Sequence, residues 1–595
     1  MMVLQQLRFP EAEVCPAPEL YFRGLDSVGP DGPARLPAGR TLGADTFFNA
    51  FSIGKWRKYT RLDNLTLTLK LSGTARVRLL HCHLEGDAVQ KSVVLERAAS
   101  ADGPSRLELP VPGPLAEEGA YAFELTGVGD CALYGGSWDT DAAPEALNAV
   151  DIALDICTYR REAYVERNLA LLRREVLDNA ACELREHLDV FISDNAQTLD
   201  ADKLASERVH IYKNKNTGGA GGFARGMLEI MDHPRPFTHA LLMDDDVLFT
   251  ADALLRTWRF LRLLRPEYAG KTLAGALMRL DQRHVQYENG AVWDGLEPRP
   301  RKENLDMREL ESVLENEREE RVDYNGWWYS CIPMAKVREN NLPLPLFVHR
   351  DDVEFALRTG SDIVSLNGVC VWHESFDNRY SSSMVYYETR NDLILNALRR
   401  PGFSGLAAAK LMARKLFVNV LRYRYNDCEL VLRGVDDFCA GADLLMGVDA
   451  EALNREVMAN AYRFEPLESL EIPFDPAQLE ASLEKGKTRR VMLRAMLLND
   501  LFLPAQGTNV VNAATCWPRC CYRKSALLHF DRITGKGFVT KRSAAKSLAA
   551  LFKLTGRAFK LLVRFPAAAR SYREAQKRMT SRAFWEVYLD LRVQK

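Results

Sequence analysis

The residues best suited to chemistry close an apolar run: Leu241-Leu242-Met243 leads directly into Asp244, Asp245 and Asp246. The run calls for burial and the carboxylates resist it, since an unpaired buried charge costs on the order of several kcal/mol or more. One arrangement satisfies both. The carboxylates stand at the exposed C-terminal end of a strand and gather around a divalent cation. Hard oxygen donors suit Mg²⁺ or Mn²⁺, and such an ion binds the phosphates of a nucleotide diphosphate donor. Alternate residues of an extended strand end face the same way, so Asp244 and Asp246 address one ion while Asp245 points elsewhere. A solvated turn or a helix cap is the competing reading. The apolar lead-in weighs against it.

Further along, Asp351 and Asp352 follow His349-Arg350 and precede the helical segment Val353–Arg358. A helix N-terminus stabilises carboxylates by up to about 2 kcal/mol, so capping accounts for one of the pair. Two adjacent ones invite a role, such as taking the proton of an attacking hydroxyl. His373 stands between Trp372 and Glu374 after the strand-like Val369-Cys370-Val371. Imidazole is a competent Mn²⁺ ligand, although a lone histidine is more often packed in a core. The stretch from Thr217 to Gly222 holds Gly218, Gly219, Gly221 and Gly222 and reads as a loop before a helix, where backbone can approach phosphate. It matches neither a P-loop nor a dinucleotide fingerprint. Trp327, Trp328 and Tyr329 can stack on sugar rings or fill a core.

These residues need elements to position them. Residues 1–145 read as all-β: Thr66–Leu71 and Ala75–Leu80 alternate apolar and polar residues, and Gly73, Gly103, Gly113 and Gly127 punctuate them. An antiparallel sandwich or barrel fits. In residues 146–400, strand-like Asp151–Cys157, Leu188–Ser193, Val209–Tyr212 and His239–Met243 alternate with helical Val165–Leu177 and Gly222–Met231. That is an α/β pattern, a doubly wound, mainly parallel sheet with helices on both faces. Its ligands gather at the C-terminal strand ends, which carry Thr158–Arg160, Asp194-Asn195, Asn214–Gly222 and Asp244–Asp246. In residues 401–595 the strand signals fade and helical spacing covers Ala407–Tyr423 and Asp443–Tyr462. Ser543–Phe565 is basic and amphipathic, and Pro518 and Pro566 suggest breaks.

A chain of 595 residues with 47% apolar and 27% charged residues is globular and longer than one ordinary core. Net charge is −1, yet Cys521–Lys595 holds 18 Lys+Arg against 4 Asp+Glu, a local +14 that leaves −15 for the rest. Such asymmetry points the basic end at an anionic membrane surface rather than at nucleic acid, for which no recognition motif is present. Twelve scattered cysteines read as reduced thiols of a cytosolic enzyme, with Cys516, Cys520 and Cys521 a weak zinc candidate. Neither a leader-like apolar segment in Met1–Pro10 nor a membrane-spanning run is visible. The expected location is cytoplasmic, peripheral on the inner face of the cell membrane.

Together the motifs resemble those of the bacterial galactofuranosyltransferases that extend arabinogalactan, within inverting glycosyltransferase family two. The resemblance rests on Phe47–Thr60, Thr158–Arg160, Asn216–Arg225, Met243–Asp246, Trp327-Trp328, Leu344–Phe347 with Asp351-Asp352, and Val371–His373. It implies a GT-A fold flanked by an N-terminal β domain and a helical C-terminal region, with assembly into a homo-oligomer through that region. It implies a UDP-galactofuranose donor and a glycan or lipid-linked glycan acceptor. By position, Asp244, Asp246 and His373 hold the metal and Asp352 is the base. Arg160, Asp194, Asp245, Gly219, Gly221 and Gly222 lie at the nucleotide. Trp327, Trp328 and Asp351 line the acceptor path. One departure is Arg350, where the family carries Trp, and it points to a more polar or anionic acceptor. A transferase using a pyranose UDP-sugar and a sugar nucleotidyltransferase are the rival readings.

Overall fold

The computed structural model describes residues 1–24, 32–360, 362–376, 380–483 and 498–591. Its N-terminal part is one antiparallel sheet. Three long strands, β4 (Thr66–Glu85), β5 (Ala88–Pro110) and β6 (Ala120–Thr140), form the body. The short β1 (Met2–Gln6), β2 (Ala34–Leu36) and β3 (Thr41–Gly43) pair successive stretches of β6. The alternation within β4 puts Leu67, Leu69, Leu71, Val77 and Leu79 inward. Among the described residues β5 pairs only with β4, so the sheet keeps an open edge and no closed barrel forms.

The second part is a ten-stranded sheet. Its main path joins β11 (Leu248–Phe249), β18 (Ile363–His373), β12 (Thr272–Arg279), β17 (Ser330–Pro333), β10 (His239–Asp244), β7 (Ile152–Thr158), β8 (Leu188–Asp194) and β9 (Val209–Lys213) in that order. β10, β7, β8 and β9 run parallel, as do β12 and β18. β17 lies antiparallel between β10 and β12. β13 (Val285–Glu288) and β16 (Leu305–Asp306) complete the ten, and β14 (Ala291–Trp293) and β15 (Pro298–Pro300) form a separate two-stranded sheet. Side chains of β7 alternate between two cores. Ile152, Leu154 and Ile156 meet Val165 and Leu169 of α2 (Glu162–Leu172), and Leu254 and Phe260 of α5 (Ala251–Leu263) join the same core. Ala153 and Cys157 meet Phe223, Ala224 and Met227 of α4 (Gly218–Asp232) on the other face. Helices on both faces force the strands to be apolar throughout, as the sequence reads. Core packing also continues into the N-terminal part, where Trp56 of the short helix Ile53–Tyr59 meets Phe260 edge to face at 5.1 Å and Phe48 lies 6.2 Å from Trp372.

The third part packs α8 (Ser382–Arg399), α9 (Gly405–Leu421) and α10 (Tyr425–Ala440) against a 36-residue helix, Ala544–Met579. Pro566 lies inside that helix and does not end it, contrary to the expected break. Nor is this part purely helical: β19 (Thr508–Asn512), β20 (Ala526–Asp531) and β21 (Lys536–Lys541) form a small sheet. The last helix, Arg582–Tyr588, returns to α4, and Trp585 donates to the Pro343 carbonyl at 3.0 Å. Among the described residues no helix is long and apolar enough to cross a membrane.

Candidate active site

β10 ends at Asp244 and β18 at His373, and the turn after β10 swings Asp246 toward both. One ligand atom from each of Asp244, Asp246 and His373 lies within 4.8 Å of the others. His373 Nε2 is 3.3 Å from Asp246 Oδ1. Its Nδ1 is 2.7 Å from the Glu374 carbonyl oxygen. A carbonyl only accepts, so Nδ1 carries a proton and Nε2 is the nitrogen turned toward the carboxylates. Burial, then the Asp246 charge, pushes the Asp244 carboxyl up to about 7. Two carboxyl groups and an imidazole nitrogen thus converge as candidate ligands of one ion. The donor set fits Mg²⁺ or Mn²⁺.

Asp245 points away, and the turn after β10 sets its direction, since the strand ends at Asp244. Its carboxylate accepts from Thr158 Oγ1 at 2.7 Å and from Arg161 Nη1 at 2.9 Å, which makes it an anchor between β7 and α2. Arg161 also reaches Asp246 Oδ2 at 2.5 Å and bridges the triplet. The arginine expected at the nucleotide, Arg160, is exposed and lies over its neighbour Tyr159 at 5.3 Å. Its left-handed backbone, φ +55°, turns the chain so that Arg161 faces inward. Two adjacent arginines cannot be told apart by sequence, and the turn decides between them.

Asp194 sits at the C-terminal end of β8, where expected, but its carboxylate organises the following loop. It accepts backbone N–H bonds from Ala196, Gln197 and Leu199 at 3.1, 2.9 and 2.8 Å. The glycine-rich stretch is not a loop. α4 starts at Gly218, so Gly219, Gly221 and Gly222 occupy its first turns. A Cβ on Gly221 would fall 1.7 Å from Thr217 Oγ1, and one on Gly222 would fall 2.0 Å from Cys157 Sγ. These two glycines therefore serve close packing of α4. Gly219 does face the acidic pair, since a Cβ there would lie 3.7 Å from Asp351 Oδ2.

α7 (Asp351–Thr359) begins at the acidic pair. Asp351 is buried, and burial with the charges of Asp352 and Asp244 pushes its carboxyl up to about 8. Asp352 is half-buried and accepts from the Val353 N–H at 2.7 Å. Burial raises its carboxyl, while that hydrogen bond and the Arg350 and His349 charges oppose the rise. Beside it is a residue that sequence reasoning missed. Glu288 ends β13, and burial with the Asp352 charge pushes it up to about 8. A single glutamate in a short, irregular stretch gives no sequence signal.

Arg350, expected to favour an anionic acceptor, has its charge met within the chain. Its Nε donates to Asp392 Oδ1 at 2.7 Å, and its guanidinium lies 5.3 Å over the Trp293 ring. The tryptophans are mostly core. Trp327 packs between Phe223 and Phe355 at 5.1 and 5.9 Å, which corrects the expectation that it lines an acceptor path. Trp328 is also buried and donates to the Gly275 carbonyl at 3.1 Å. Phe376 lies between it and the site, 6.2 Å from Trp328 and 5.4 Å from the His373 ring.

A family model described as galactofuranosyltransferase 2 N-terminal matches residues 32–141. Galactofuranosyltransferase GlfT2 of Mycolicibacterium smegmatis is 26% identical over 589 residues, covering 91% of this chain and 88% of its own length. GlfT2 of Mycobacterium tuberculosis is 26% identical over 593 residues, covering 91% and 89%. This chain is a relative of the GlfT2 galactofuranosyltransferases. It is a glycosyltransferase enzyme. Likeness to solved structures is slight and carries no argument. The CBM22-1–GH10 modules of Clostridium thermocellum xylanase 10B cover 29% of this chain and 33% of their own at 14% identity and a TM-score of 0.14.

Proposed function

We propose that the chain transfers galactofuranose from UDP-galactofuranose, with inversion, to a hydroxyl of a glycan or lipid-linked glycan. The observation that carries the reading is the convergence of Asp244, Asp246 and His373 at strand ends whose neighbouring helix α7 presents Asp351 and Asp352. The order β9-β8-β7-β10 with an antiparallel insertion supports a GT-A fold for this half. The donor sugar is taken from the names of the relatives.

Asp244, Asp246 and His373 would hold Mg²⁺ or Mn²⁺, which when bound supplies charge neutralisation for a leaving diphosphate. Arg161 orients Asp246 and Asp245 from the side opposite the histidine. Asp352 takes the proton of the acceptor hydroxyl as its oxygen attacks the anomeric carbon and UDP departs from the opposite face. An oxocarbenium-like transition state is expected for glycosyl transfer, and no covalent enzyme intermediate is needed. The Gly219 end of α4 lies beside Asp351 and presents a positive dipole end to the anionic site. Exposed Leu548, Phe552, Phe559, Leu562 and Val563 follow one face of the helix Ala544–Met579. We assign that stripe to docking on a membrane surface.

UDP release tests the proposal, with UDP-galactofuranose, UDP-galactopyranose and UDP-glucose each offered Mn²⁺ or Mg²⁺, galactofuranoside acceptors and an EDTA control. Turnover restricted to UDP-galactofuranose, dependent on acceptor and metal, is the expected result. Turnover with a pyranose donor alone overturns the sugar assignment. Turnover surviving EDTA overturns the metal.

A further inference from the structure

At the opposite end of the central sheet, near the N-terminal ends of β8 and β9, Asp189, His210 and His233 meet. Asp189 is the second residue of β8, His210 the second of β9, and His233 caps the C-terminus of α4. One ligand atom from each lies within 4.8 Å of the others. Asp189 Oδ2 is 3.5 Å from His210 Nε2, and that nitrogen is buried without a hydrogen-bond partner. An orphaned buried imidazole nitrogen aimed at a carboxylate is a donor without an occupant. The two rings lie 5.0 Å apart, packed on Phe191. Neither histidine is fully enclosed, which leaves a path for an ion.

The surroundings pre-orient the set. Arg235 Nη1 and Arg208 Nη1 hold the other oxygen, Asp189 Oδ1, at 3.0 and 3.4 Å, and leave Oδ2 to the histidines. His233 Nδ1 lies 3.4 Å from the Arg235 carbonyl oxygen, and donating its proton there leaves Nε2 to face an ion. Second contacts of this kind accompany metal ligands. The C-terminal end of α4 carries a negative partial charge and favours a cation there.

We infer that Asp189, His210 and His233 form a second metal site, distinct in chemistry from the strand-end triad. Two imidazoles and one carboxylate suit a four-coordinate Zn²⁺-type ion with water as fourth ligand. The two-aspartate, one-histidine triad suits Mg²⁺ or Mn²⁺ instead. Such an ion ties β8 and β9 to the far end of the helix whose start faces Asp351, and so acts as a structural staple. The site stands whether or not the chain transfers galactofuranose.

Co²⁺ is the probe, added to the full chain carrying Asp244→Asn and Asp246→Asn so that the strand-end triad does not compete. The expected result is one equivalent bound, with the intense visible absorption of four-coordinate cobalt. Further His210→Gln or His233→Gln substitution should abolish it. Zn²⁺ should raise the melting temperature of the Asp244→Asn/Asp246→Asn chain but not of these histidine variants. X-ray absorption of the zinc-loaded chain keeps the test independent of whether those variants fold, and should show two imidazole ligands. Absence of stoichiometric cobalt binding, or zinc without histidine in its shell, overturns the inference.

Discussion

Asp352 is the residue on which the chemistry turns, and its surroundings separate its role from that of its neighbour. Asp351 faces Gly219 and feels the Asp244 charge, whereas Asp352 lies beside Glu288 and the Arg350 turn. Asp352→Asn should lower kcat by about 10²- to 10⁴-fold, the usual weight of a general base, with UDP affinity unchanged. Calorimetric UDP titration beside turnover checks this, and loss of both together would make the residue structural. Glu288 gives a pH signature. Burial raises its carboxyl from the ordinary 4.5 to about 8 in the folded chain. Below pH 4.5 it is protonated whether folded or not and takes nothing from stability. As pH rises toward 8 the unfolded chain releases the proton and the folded chain keeps it, so stability falls and the loss is complete above 8. Glu288→Gln should remove this slope and gain on the wild type by up to a few kcal/mol across that window, at about 1.4 kcal/mol per pKa unit. Urea midpoints across the window check it. A constant difference would mean that Glu288 is ionised at neutral pH.

The contact of α4 with β7 is unusually close for a helix on a sheet. Asp155 lies in the middle of β7, fully buried, and neither carboxylate oxygen has a hydrogen-bond partner. Burial alone pushes its carboxyl well above the usual range, which favours the neutral acid under α4. A Cβ on Gly226 would fall 1.9 Å from its Oδ1. Gly226→Ala should therefore destabilise the chain by about 1–3 kcal/mol, the range for overpacking. In the Asp155→Ala background the same change should cost far less, because the obstructing atoms are gone. A double-mutant cycle in thermal melts checks the coupling, and additive effects would place the strain elsewhere.

For the whole molecule, charge and apolar exposure divide along one helix. Lys553 pairs with Glu429, and Lys560 and Arg557 with Asp436, so part of the basic surplus is met by α10. Among the described residues the apolar stripe is not covered: Phe552 and Phe559 are 79% and 70% exposed. If the stripe docks on lipid, Phe552→Asp with Phe559→Asp should abolish sedimentation with anionic vesicles and leave turnover on a short soluble acceptor intact. Equal sedimentation of variant and wild type would assign the stripe to another surface.

Local sequence determined the parts that depend on neighbours in the chain. The apolar-to-acidic switch at Met243-Asp244 marks a strand end, although it is the turn beyond Asp244, not strand alternation, that separates Asp245 from its two neighbours. Asp351 begins a helix, as its flanking pattern requires. Only the tertiary structure brings His373 beside Asp246, because β18 reaches the site across a sheet whose order differs from chain order. Tertiary packing likewise turns Arg161 rather than Arg160 inward and makes helix of the glycines, whose missing side chains let α4 lie against β7. It encloses Trp327 and carries Pro566 through an uninterrupted helix, since α9 and α10 pack along that helix and packing outweighs a local breaker. Propensity and periodicity are properties of neighbours in sequence, whereas a site is a property of neighbours in space, and strand order is what connects them.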